Sequence, residues 1–180
     1  MTPAGDPSAV VLLRDATSLD VPDILRCIRG LAEFERLAHE CVATEARLRE
    51  TLFGSDPAAY VALAEQGGEV VGFALWFRSY STFLARPGIY LEDLFVFPSH
   101  RGRGVGRQLL AHLARRAVER GFGRLEWAVL DWNADAIRFY GSLGAVPMAD
   151  WTTFRLSGDP LEALGVASSR SPPACDLPHP

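Results

Sequence analysis

The stretch Leu91–Leu110, LEDLFVFPSHRGRGVGRQLL, constrains this chain more than any other segment. It begins inside an apolar run, Tyr90–Phe97, broken only by Glu92 and Asp93. Pro98 closes that run, because proline brings no N–H to a strand ladder. Arg101-Gly-Arg-Gly-Val-Gly106 follows, and apolar residues then recur at helical spacing. A strand that runs into a glycine-rich loop opening a helix is a phosphate cradle. Glycines let the backbone approach a pyrophosphate, and the helix N-terminus aims free N–H groups at it. The plain alternative is a turn that uses glycine for its geometry alone. The place of this loop, directly after an apolar strand, favours the cradle.

The details disfavour two common cradles. A Walker loop needs Gly-Lys-Ser/Thr, which occurs nowhere in the chain. Gly102-x-Gly104-x-Gly106 matches the dinucleotide fingerprint only in part. That fingerprint follows the first strand of a βαβ unit and needs an acidic residue about twenty positions on. Here the loop lies past the middle of the chain, and the next strand meets no acid at its end until Asp131.

Composition sets further bounds. With 180 residues, 48% of them hydrophobic, the chain can bury one core. A net charge of −4 disfavours a dedicated nucleic-acid binder. Three cysteines, Cys27, Cys41 and Cys175, form no C-x-x-C pair. That suits a reducing, cytoplasmic setting and speaks against a disulfide framework or a zinc site. The four histidines are scattered and make no metal set. The N-terminus has no signal-peptide pattern, and no apolar run reaches membrane-spanning length.

Along the chain, Val10–Arg14 reads as a first strand. Asp20 is a candidate N-cap for a helix carrying Ile24, Leu25, Ile28, Leu31 and Ala32 at helical spacing. Thr44 caps a short helix ending near Phe53. Ala59–Glu65 and Glu69–Arg78 flank Gln66-Gly-Gly68, a hairpin signal. Ser79–Gly88 reads as a polar loop and Tyr90–Phe97 as the central strand. The helix after the glycine loop carries Val105, Leu109, Leu110, Leu113 and Ala117 on one side, and Gly121 ends it. Leu125–Leu130 reads as a strand, Asn133–Leu143 as a capped helix and Trp151–Leu156 as a last strand. Trp151 reads as a core residue. Past Ser157 the composition turns to a tail, with Ser168–Pro180 expected to be disordered. This order predicts an α/β (α+β) class, a mixed sheet with helices on both faces.

Arg101-x-x-Gly104-x-Gly106 resembles the Arg/Gln-x-x-Gly-x-Gly/Ala signature of the GNAT superfamily of acyl-CoA-dependent N-acyltransferases. Trp132-Asn133-x-x-Ala136-Ile137-x-Phe139-Tyr140-x-x-x-Gly144 is similar to that family's second block. More narrowly, Tyr90–Val96 and Asn133–Tyr140 resemble the diamine (spermidine/spermine) N-acetyltransferase branch. The resemblance covers residues 10–157, a single acetyltransferase domain, and leaves 158–180 as the tail. It implies a mostly antiparallel central sheet, acetyl-CoA as cosubstrate, no metal and a homodimer.

Acetyl transfer to an amine needs a held thioester, a neutral amine and a proton for the departing thiolate. The backbone of Arg101, Gly102, Arg103, Gly104, Val105 and Gly106 would take the pyrophosphate, with Arg101 and Arg103 adding charge-assisted contacts. A solvated helix start explains Arg103 equally well, and Arg101 less well. By resemblance, Leu94, Phe95 and Val96 run along the pantetheine arm, where the central strand and the next one splay apart. Asn133 and Ala136 contact the cosubstrate by resemblance, although an N-cap alone accounts for Asn133.

A free alkyl ammonium has a pKa of roughly 10.4, so about one molecule in a thousand is reactive at neutral pH. Strand alternation sends Glu92 and Asp93 to opposite faces. The resemblance makes Glu92 the general base or an ammonium anchor, and a surface carboxylate is the plain alternative. It makes Tyr140 the acid that protonates the thiolate, against a core aromatic beside Phe139. Glu35, with Glu92 and Asp93, would bind the amine. The branch's aromatic hydroxyl is Phe34 here, and its acidic pair is reduced to Glu40. That points away from spermine and toward a shorter diamine or a lysine- or ornithine-like amino acid. Other acceptors, such as a drug or a protein N-terminus, and a non-catalytic acyl-CoA-binding module are the competing readings.

Overall fold

Gly67 and Gly68 both sit at positive φ, 62° and 82°, the backbone sense that matches the twist of a two-residue hairpin. They join β2 (Tyr60–Gln66) to β3 (Glu69–Ser81). The computed structural model describes residues 10–167. These fall into two compact units that part between Leu130 and Asp131.

The first unit holds a five-stranded sheet, completed by β1 (Leu12–Asp15), β4 (Arg86–Val96) and β5 (Leu125–Trp127). The strands lie in chain order. The first four are antiparallel, and β5 runs parallel to β4. The mixed, mostly antiparallel sheet is therefore as expected. The polar stretch Ser79–Gly88 is not a loop. The β3–β4 ladder runs on through Ser79↔Gly88, Tyr80↔Pro87 and Ser81↔Arg86, leaving only Thr82–Ala85 to turn. Register set by the buried rows outweighs the turn propensity of the residues at the tip.

Alternation along β2 divides the core. Val61 and Leu63 pack with Phe73 and Phe95 against α1 (Val21–Phe34) and α2 (Glu45–Phe53). Ala62, Ala64, Ala74 and Trp76 are also buried, and alternation turns them to the other face. There lies α3 (Val105–Glu119), whose Arg116 guanidinium stands 5.5 Å from the Trp76 ring. The five α3 residues expected on one side, Val105, Leu109, Leu110, Leu113 and Ala117, are its buried ones. Helices on both faces follow.

Asp20 stands at the N-cap of α1, yet its side chain makes no cap hydrogen bond. Its carboxylate instead accepts from the Thr17 backbone N–H at 2.7 Å and from Arg14 at 2.6 and 2.8 Å. The guanidinium, the strongest of these donors, holds the Asp20 carboxyl well below the usual range. Thr44 caps α2 as expected, accepting from Arg47 N–H at 3.3 Å.

β5 ends at Trp127, three residues short of the expected Leu130, because the parallel ladder stops at Leu91↔Trp127. The second unit carries α4 (Ala134–Ser142) and α5 (Asp159–Ala167). Asn133 caps α4 by accepting from Ala136 N–H at 3.2 Å. Trp151–Leu156 is not a strand. The chain turns there, with Trp151 N–H donating to Met148 O at 3.2 Å, and no ladder takes up the segment. Trp151 is 71% exposed, so it is not the core residue expected. Asp159–Ala167, read as tail, forms α5, and Ser168–Pro180 lies outside the described residues. No helix among the described residues is long and apolar enough to cross a membrane.

Candidate active site

The site in the first unit is built where β4 loses β5. Phe97 N–H donates to Val71 O across the β3 side at 3.0 Å. Alternation therefore turns the backbone groups of Phe95 toward β3, and those of Leu94 and Val96 toward the side β5 has left. The β4–β5 ladder ends at Leu91↔Trp127 and leaves that side of Leu94 and Val96 without a strand partner. Of the three strand residues expected to line a cosubstrate arm, Leu94 and Val96 offer backbone groups to that side. Phe95 instead buries its ring against α1 and α2.

The glycine loop follows. Gly102 and Gly104 adopt φ of 72° and 80°, and a Cβ at either would meet nothing within 4 Å. The first α3 hydrogen bond runs from Gln108 N–H to Gly104 O at 3.0 Å. Helix geometry thus leaves the N–H groups of Val105, Gly106 and Arg107 without intrahelical partners. No acidic residue stands in the first turn, so the positive end of the helix is unopposed. A Cβ on Gly106 would lie 3.9 Å from Val96 Cγ2. Donors and open strand side are therefore neighbours, as a pyrophosphate joined to an extended arm requires. Arg107 was absent from the sequence expectation; counting the first turn from the helix start, rather than from the motif, would have found it.

Arg101 departs from its expected part. Its N–H is spent on Pro98 O at 3.3 Å. Its Nε donates to Val96 O at 2.8 Å. The guanidinium lies 4.6 Å from the Phe34 ring and 5.5 Å from that of Phe95. Arg103 is exposed at the loop.

A bulge sits beside the open side. Leu75 pairs with Asp93 and Trp76 with Leu91, so Glu92 is the extra residue. The expected alternation from Glu92 to Asp93 does not hold across it. Tyr90, Asp93 and Phe95 instead follow Phe77, Leu75 and Phe73 on the face of α1. Tyr90 and Phe77 stack there with centroids 5.1 Å apart. Nothing in the sequence marks this bulge.

Glu35, at the C-cap of α1, completes an acidic group. Burial first, then the charges of Glu92 and Glu35, push the Asp93 carboxyl up to about 6. Burial also raises Glu35. None of the three carboxylates takes part in an ion pair among the described residues. Such a group lacks a counter-cation, and a bound ammonium would supply one. In the second unit, Tyr140 lies half-buried on α4 with its ring 5.3 Å from that of Phe139. Asn133 and Ala136 form the cap of the same helix.

The sequence profile of the acetyltransferase (GNAT) family matches residues 26–145. The chain belongs to the GNAT family. A mouse (Mus musculus) thialysine N-epsilon-acetyltransferase is 38% identical, with 84% of this chain and 95% of that one covered. An L-ornithine N5-acetyltransferase from Arabidopsis thaliana is 36% identical, covering 84% and 86%. Among solved structures, an integron cassette protein from V. cholerae matches with a TM-score of 0.73 and 28% identity, over 86% of this chain and 97% of that one. The GNAT chain is an N-acetyltransferase, and its family uses acetyl-CoA as cosubstrate. Its loop and open strand side fit that molecule: free N–H donors, space over two left-handed glycines, and backbone groups facing an unladdered side.

Proposed function

We propose that this enzyme acetylates a terminal primary amine of a small cationic molecule, of the thialysine, ornithine or short-diamine type. The observation that carries this reading is the acidic group Glu35, Glu92 and Asp93 beside the open side of β4. The relatives whose names specify thialysine and ornithine support the same substrate class. The catalytic domain is taken as residues 10–157.

The N–H groups at the start of α3 and the loop from Gly102 to Gly104 hold the pyrophosphate. Leu94 and Val96 align the arm, and Asn133 and Ala136 add contacts from α4. Acetyl-CoA supplies the activated acetyl group. Glu35 and Asp93 hold the substrate's ammonium groups. Glu92 anchors the reacting amine and removes its proton. The amine nitrogen then bonds to the acetyl carbon, the carbon–sulfur bond breaks, Tyr140 gives its proton to the sulfur, and the second proton shed by the nitrogen restores the Tyr140 phenol. The enzyme works as a cytoplasmic homodimer, without metal, membrane or nucleic-acid partners.

The test is thiol release from acetyl-CoA with putrescine, spermidine, spermine, lysine, ornithine and thialysine, using wild type and Tyr140→Phe. Release with the short amines, lowered in Tyr140→Phe at unchanged acetyl-CoA affinity, is expected. Release equal in the two proteins removes Tyr140 from the acid role. Silence with all six, while acetyl-CoA still binds, moves the assignment to another acceptor or to a binding module.

A further inference from the structure

The side chain that opens the loop motif turns back toward β4 and α1. Arg101 folds back, bonds Val96 O through Nε, and lays its guanidinium between Phe34 and Phe95. Phe34 is the last residue of α1, directly before Glu35. One side chain thus joins the cosubstrate loop, the open carbonyl of β4 and the end of α1 that carries an amine-binding carboxylate.

We propose that Arg101 is a positioning residue that couples cosubstrate binding to the amine-binding end of α1. The coupling rests on the acetyl-CoA reading above. Val96 O is one of the groups β4 turns toward the open side, so an arm amide bonding there competes with Arg101 Nε. Losing that bond loosens the guanidinium from Phe34 and frees the last turn of α1 to close on the amine. Arginine is required because a planar guanidinium stacks on rings while donating sideways; a lysine ammonium keeps the charge and loses the stack. The hydroxyl of the branch's aromatic residue, absent here, plays no part in that stack.

The amides of Glu35, Arg36 and Leu37 report on this turn, since they bond Leu31 O, Glu33 O and Ala32 O. Their hydrogen exchange is measured with and without coenzyme A in wild type, Arg101→Lys, Phe34→Ala and Phe34→Tyr, with coenzyme A affinity measured by calorimetry on the same samples. In wild type, coenzyme A should speed exchange several-fold. Arg101→Lys and Phe34→Ala should exchange fast in both states, and Phe34→Tyr should behave as wild type. Both disruptive variants should bind the amine as tightly without coenzyme A as with it, whereas wild type should gain amine affinity several-fold when coenzyme A is present. Bound coenzyme A that leaves wild-type exchange unchanged or slowed overturns the coupling. So does wild-type behaviour in Arg101→Lys. Failure of wild type to bind coenzyme A overturns the cosubstrate reading itself, which calorimetry shows separately.

Discussion

Two adjacent carboxylates on β4 should answer to different experiments. If Glu92 removes the amine proton, Glu92→Gln should lower turnover at pH 7 by roughly 10²–10⁴-fold. The deficit should shrink as pH climbs toward roughly 10, where free amine becomes abundant. A pH–rate profile parallel to wild type would mean that Glu92 positions the amine instead. Asp93 carries a stability signature. Its carboxyl is raised in the folded protein to about 6 from 3.8, so the folded state binds more protons than the unfolded state between those values. Stability should therefore fall as pH rises through that window and stay level above it. Asp93→Asn should reduce the fall to the share that the raised Glu35 contributes, and gain about 1–3 kcal/mol at pH 7 without substrate. Denaturant titration at pH 4 and pH 7 checks it; an unchanged pH dependence in Asp93→Asn would place the titration elsewhere.

At the scale of elements, the loop before α3 is held open by backbone sign. Gly104 sits at φ 80° with room around it, so Gly104→Ala costs about 1–2 kcal/mol through conformation rather than collision. It should also weaken acetyl-CoA binding tenfold or more by tilting the first-turn donors; calorimetry showing unaltered affinity would separate this loop from the pyrophosphate. The loop and the helix were legible in the sequence because glycine spacing and helical apolar spacing are local signals. The hairpin at Gly67-Gly68 was legible for the same reason. The length of β4, the early end of β5 and the absence of a strand at Trp151–Leu156 were not. Each depends on which backbone lies alongside, and pairing partners are decided by register across the sheet. For the same reason the acidic group was legible as residue types, while the bulge that sets Glu92 out of alternation was hidden. Arg101 was found by its motif and misread in its direction, because its partners Phe34 and Val96 O come together only in three dimensions.

For the whole molecule, the proposed homodimer should sediment at twice the mass of the chain, at assay concentration and independent of acetyl-CoA. A single-chain mass would require every site residue to come from one copy. The chain also contains no lysine, all eighteen of its basic Lys/Arg positions being arginine. Thiol release in the proposed assay therefore cannot come from acetylation of the enzyme's own lysines. The bulge at Glu92 separates two things that a substitution table would merge. Exchanging its letter alters one carboxylate. Deleting its place would close the bulge and return β4 to strict alternation, with Tyr90 and Asp93 still on the face of α1 and Leu91 still opposite Trp76. The fold would survive that deletion, and what would go is the break in the ladder that sets a carboxylate apart from both rows of β4.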